Sequence, residues 1–137
     1  MIRYEFAPDI QEEINRISDA IGFSHLKKDR IVFIRSYGSG SRNTIARCHA
    51  LSRIWQKSLD IKAVYIVEII SERFDKLPDE EKTKTLIHEL MHIPKSFGGG
   101  FKHHNVVNER NIERLYRIMI KNEKIKPERS DGIPFWS

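Results

Sequence analysis

The sequence predicts an α+β fold: a small mixed or antiparallel sheet packed on a helix that carries the chemistry, with further helices flanking it. Three observations predict this. β-branched and aromatic runs at 31–34 and 61–70 have strand character. Apolar residues recur at helical spacing in 9–21 and in about 105–122. A third helical stretch, opened by Pro78, carries two histidines four positions apart. The order helix, strands, helix, loop, helix groups the strands instead of alternating them regularly with helices, which is the α+β pattern.

Taken in order, Asp9 followed by Glu12 is a helix N-cap arrangement. Ile10, Ile14, Ile17 and Ile21 then form one stripe, and Gly22 closes the helix. Ile31 to Ile34 is a strand, and Tyr37 to Ser41 is a turn that lacks the lysine and spacing of a phosphate-binding loop. From Ile45 to Leu51 the residues alternate, with Ala46, Cys48 and Ala50 on one face and Ile45, Arg47, His49 and Leu51 on the other, so a second strand is expected. Residues 52–59 fit a short helix, and 61–70 fit the most apolar strand. Asp79, Glu80 and Glu81 follow Pro78 in the first turn of the next helix, where negative charge complements the helix dipole. That helix is expected to reach about Ile93, because Pro94 cannot continue it. Gly98 to Gly100 makes a flexible connector, and Ile112, Leu115, Tyr116 and Met119 mark the last helix. The tail, 126–137, has two prolines and a glycine and is expected to be irregular.

The 137 residues suit a single domain, 1–137, with its core over about 30–120. One cysteine, Cys48, excludes an internal disulfide, and its simplest role is a buried core residue. The first six residues carry Arg3 and Glu5 and no long apolar stretch, so no signal peptide is expected. The longest apolar run, near 63–70, contains Glu68 and is too short to span a bilayer. A cytoplasmic protein without a membrane partner is therefore expected. The net charge of +5 permits weak attraction to nucleic acid, but Lys and Arg are interspersed with Asp and Glu, which disfavours a dedicated interface.

The chemistry sits in His88-Glu89-Leu90-Met91-His92. Two histidines four apart lie one above the other on a helix and can grip one metal ion. Glu89 is about 100° around the helix from His88, so it cannot share those bonds but can reach a water on the same metal. This is the H-E-x-x-H arrangement of zinc hydrolases. Leu86, Ile87, Leu90, Met91 and Ile93 surround it with apolar side chains. Two imidazoles and a carboxylate in such a helix are costly without partners, and a metal ion supplies them. A catalytic zinc needs a third protein ligand and keeps one position open. Beyond the glycines stand His103 and His104, eleven and twelve positions after His92. His104 is the preferred third ligand and His103 the alternate, with Glu109 or Glu113 of the last helix as runners-up. His25 and His49 have no ligand partner at close spacing and are assigned structural or exposed roles. Arg35, Arg42, Tyr65 and the spare histidine are the candidates for a second oxyanion donor. Glu68, inside an apolar strand, needs a partner or a solvent-facing side.

The stretch from Ile31 to about Tyr116, roughly two-thirds of the chain, resembles a family of small metallopeptidases of archaea and phages. The resemblance is carried by Ile69-Ile70-Ser71-Glu72-Arg73-Phe74-Asp75, by His88-Glu89-Leu90-Met91-His92-Ile93-Pro94, and by a glycine-containing loop followed by a histidine. The chain is similar in outline to SprT-like proteins and minimal gluzincins, within the zincin group. The resemblance implies a zincin-like half-domain, a sheet above the active-site helix, with an edge strand that can pair with an extended peptide. It implies one Zn²⁺, a peptide or protein substrate and Glu89 as general base. The competing class is a basic nucleic-acid-associated or regulatory protein with a structural zinc, which four protein ligands in a closed shell would identify.

Overall fold

The structure is a computed structural model. It describes residues 1–94, 96–102 and 106–125, with 124 and 125 described by backbone alone. His103, His104 and the tail 126–137 therefore lie outside the described residues.

The described elements are β1 (Arg3–Phe6), α1 (Pro8–Ile21), a 3₁₀ turn (Lys28–Arg30), β2 (Ile31–Tyr37), β3 (Ala46–Ala50), α2 (Arg53–Leu59), β4 (Tyr65–Ile70), α3 (Ser71–Phe74), α4 (Asp79–Met91) and α5 (Glu109–Ile125). The architecture is α+β, and the sheet is mixed. Its order is β1-β2-β4-β3, with β1 and β3 at the edges. β2 and β4 are parallel in the centre, whereas both edge strands run antiparallel to their neighbours.

The strand registers divide the side chains between two faces. Ile31 and Phe33 of β2 and Tyr65, Val67 and Ile69 of β4 lie on the face covered by helices, each 2 % exposed or less. Against them pack the stripe Ile10, Ile14 and Ile17 of α1, Leu86, Ile87 and Leu90 of α4, and Ile112, Leu115 and Met119 of α5. On β3 the same face carries only Ala46, Cys48 and Ala50, opposite Ile69, Val67 and Tyr65. Small side chains leave room, and α4 packs directly against this strand.

Several boundaries differ from expectation. The first helix is capped by Ala7, with Pro8 in its first turn, not by Asp9. Proline has no N–H to lose there and its φ already suits a helix, so Asp9 is released to accept two bonds from Arg35 Nη1, at 2.6 and 2.8 Å. Gly22 closes α1 in the left-handed conformation (φ 79°), as its position predicts. β4 begins at Tyr65, four residues later than expected. β1 and α3 are elements the sequence did not announce. β1 is exposed throughout and held by pairing with β2 (Arg3 opposite Tyr37, Phe6 opposite Ile34), so it leaves no burial pattern. No helix among the described residues is long and apolar enough to cross a membrane.

Candidate active site

α4 delivers the motif. Its first turn holds Asp79, Glu80 and Glu81, and its body turns Leu86, Ile87 and Leu90 into the core. The 3.6-residue period then places His88 and His92 on the side facing β3 and the glycine loop. Their ring centroids are 5.0 Å apart, with the planes tilted by 56°. His92 is the C-terminal cap of α4.

The chain beyond the glycines returns to His92 and grips it twice. Lys102 N–H donates to the His92 carbonyl at 2.8 Å. The Lys102 carbonyl lies 2.8 Å from His92 Nδ1. A carbonyl can only accept, so Nδ1 carries the proton and Nε2 keeps its lone pair, the tautomer a metal ligand requires. His25 Nε2 is 3.2 Å from the Ile93 carbonyl and ties down the residue that follows.

The glycine loop is held rather than loose. The Tyr65 hydroxyl accepts from Gly99 N–H at 2.9 Å and donates to the Gly100 carbonyl at 2.8 Å. Gln56 of α2 donates to the Leu51 and Gly98 carbonyls at 2.7 and 3.2 Å. Gly99 has φ +102°, and a Cβ there would lie 2.6 Å from Gln56 Nε2 and 2.8 Å from the Leu51 carbonyl. Only glycine fits that close approach.

Glu89 is 6 % exposed, and no described residue hydrogen-bonds its carboxylate. Burial pushes its pKa up to about 7. Cys48 faces the same space. Burial, aided by the charge of Glu89, pushes its thiol up to about 12, so it stays protonated at neutral pH. It is half-buried and lines the cleft, a position more open than the core role expected of it.

Two clefts meet at the motif. One, of about 410 Å³, is lined by Arg47, Cys48, His92, Phe101 and Lys102. The other, of about 790 Å³, runs between α4 and α5 past Lys84, Glu109, Arg110 and Glu113. Both share Ala46, His88 and Glu89, so a trough passes the motif with β3 as one wall.

The remaining candidates separate. Among the described residues no three His, Cys, Asp or Glu converge to hold a metal, so neither Glu109 nor Glu113 completes a set with His88 and His92. Glu113 is paired with Lys84 at 2.7 Å and Arg117 at 3.3 Å, and the Lys84 hydrogen bond holds its carboxyl below the usual range. His104 and His103 fall in the undescribed segment. Of the oxyanion candidates, the Tyr65 hydroxyl is committed to the glycine loop and Arg35 to Asp9 and Asp75. Arg42 lines neither cleft. The roles of Lys102, Tyr65 and Gln56 in holding the site had no sequence signal, because each acts through a contact distant along the chain.

Residues 2–125 match the family described as "Putative phage metallopeptidase". The chain belongs to that family. No curated protein and no solved structure matches it. A metallopeptidase family implies a metal cofactor and a peptide or protein substrate. The donor chemistry at the motif fits a metal: two neighbouring imidazoles, one with its ring oriented by the Lys102 carbonyl, stand beside a buried carboxylate that has no hydrogen-bond partner among the described residues.

Proposed function

We propose that this protein is a zinc-dependent peptidase in which His88, His92 and His104 hold the metal and Glu89 is the general base, with His103 the alternate third ligand. The observation that carries the reading is Glu89: a carboxylate 6 % exposed, without a described partner, adjoining two imidazoles in an open trough. Such a group is costly in a fold unless the function uses it.

Zn²⁺ held by that donor set would supply Lewis acidity toward a scissile carbonyl and a water. Glu89 takes the proton of the water as it attacks and passes it to the departing amine. The Lys102 carbonyl holds the His92 ring in place through the cycle. β3 is an edge strand beside the motif, and its unpaired side can take an extended peptide by main-chain pairing. Ala46 and Cys48 line the trough where the scissile bond would lie.

Metal analysis of the purified protein, alongside His88→Ala and Glu89→Gln, tests this directly. The expected result is stoichiometric zinc in the wild type and in Glu89→Gln, its loss in His88→Ala, and peptide cleavage by the wild type alone. Absence of bound metal from the wild type overturns the reading.

A further inference from the structure

The α2 surface, which touches the glycine loop through Gln56, has a composition that folding does not explain. None of the seven residues of α2 is buried. Ile54, Trp55 and Leu59 are 74 %, 58 % and 53 % exposed, and Ile61, just beyond the helix, is 47 % exposed. The helix contributes no side chain to the core, so its apolar residues do not stabilise the fold by burial.

The same surface concentrates cations. A cleft of about 470 Å³ is lined by Lys27, Arg30, Arg53, Lys57 and Lys62, with Asp60 its only carboxylate. Several cations elsewhere do have acidic partners: Arg16 has Glu13 and Glu123, Arg35 has Asp9 and Asp75, and Lys84 has Glu80 and Glu113. No described carboxylate pairs with Arg53, Lys57 or Lys62. Lys27 and Arg30 lie over the Phe97 ring, each 5.9 Å from its centre.

The helix presents these groups in order. Gln56 faces the protein and is hydrogen-bonded to it. At about 100° per residue, Arg53 and Lys57 fall on one flank of Gln56, while Ile54, Trp55 and Leu59 spread around the rest of the circumference. An apolar outer face flanked by unpaired cations is the pattern of a helix that lies in a membrane interface.

We propose that the α2 surface docks on anionic phospholipid bilayers, with Ile54, Trp55, Leu59 and Ile61 entering the headgroup–acyl boundary and the cations of the adjoining cleft meeting lipid phosphates. Charge complementarity requires an anionic occupant. A nucleic acid satisfies the cations but offers nothing to three exposed aliphatic side chains, whereas a bilayer surface satisfies both, and the indole belongs at that boundary. No spanning segment is needed, so the sequence-based expectation of no membrane partner does not apply to this mode of binding.

The test is sedimentation of the full chain with vesicles of phosphatidylcholine, and with vesicles in which part of it is replaced by phosphatidylglycerol. Emission of Trp55 is followed in a Trp136→Phe background. Binding to the anionic vesicles only, with a blue shift, is expected. The triple variant R53E/K57E/K62E should bind at least about tenfold more weakly. Ile54→Ser with Leu59→Ser should weaken binding similarly and remove the shift. All five side chains are exposed, and circular dichroism checks that the variants fold. No binding to anionic vesicles overturns the proposal. So does binding that neither set of variants weakens, or binding that an oligonucleotide abolishes while the serine variant leaves it intact, which would mark a general polyanion site. Self-association lost in the serine variant, without vesicle binding, would assign the face to contacts between copies. Every readout is binding, so the outcome is independent of the peptidase reading.

Discussion

Glu68 and Glu89 lie on two sides of the same edge of the molecule and differ in one respect. Both are buried, at 8 % and 6 % exposure. Glu68 is on the outer face of the sheet, where His49 Nε2 lies 2.8 Å and Arg47 Nε 3.4 Å from its carboxylate. Burial pushes Glu68 up, but the His49 hydrogen bond and the Arg47 charge outweigh it, and the net shift is downward. Glu89 is on the helix side, where burial acts alone and raises the carboxyl to about 7. Burial alone therefore does not decide how a carboxylate titrates. The partners differ: Glu68 has Arg47 and His49 beside it, and no described residue hydrogen-bonds Glu89.

The largest effect expected from breaking this contrast is catalytic. Glu89→Gln should lower kcat by roughly 10²–10⁴-fold with zinc content unchanged, measured by peptide hydrolysis and metal analysis. Cleavage at the wild-type rate would remove Glu89 from the mechanism.

Next comes stability of the metal-free protein. A carboxyl whose folded pKa is about 7, against an unfolded value of 4.5, binds its proton more tightly in the folded state. The contribution of Glu89 is then most favourable below pH 4.5, falls through the window from 4.5 to about 7, and stays low above it. Relieving this, Glu89→Gln should stabilise the chelated protein at pH 8 by roughly 3 kcal/mol and change little at pH 4, read by denaturant titration. Lost stability at pH 8 would show that Glu89 has a partner.

Tyr65→Phe sharpens the comparison from the loop side, since it removes both hydrogen bonds to the glycine loop. A cost of about 1–2 kcal/mol is expected, together with weaker zinc retention in a chelator competition. Unchanged retention would mean that the loop does not position the metal site.

The smallest effect belongs to Glu68→Gln, which keeps the shape but weakens the link to His49 and Arg47. About 1 kcal/mol of lost stability at pH 7 is expected, with kcat unchanged. Because the Glu68 pKa is depressed, its contribution is present above the unfolded value and is lost as the pH falls through the folded one. The variant and wild type should converge in acid.

Local signals were readable in particular residues. The stripe Ile10, Ile14, Ile17 and the closing Gly22 appear in α1 where the spacing puts them, and the Ala46-Cys48-Ala50 alternation became the helix-facing side of β3. Asp9 was misread as a cap because its true partner, Arg35, is 26 positions away. β1 went unread because a strand held by main-chain pairing alone buries nothing that a pattern could reveal. Tyr65 was considered for the reaction because a buried phenol in a strand gives no indication, from sequence, of what its hydroxyl meets.

By itself the sequence determined the α4 helix and the one-sided presentation of His88 and His92, because a period of 3.6 residues is a local property of the chain. It also determined that Glu89 stands beside them. The tertiary structure decided the rest of the site: the small-residue strand that lets α4 approach, the Lys102 carbonyl that orients His92, and the absence of a described partner for Glu89. Those depend on which distant segments meet, and burial and hydrogen bonding exist only once they have met.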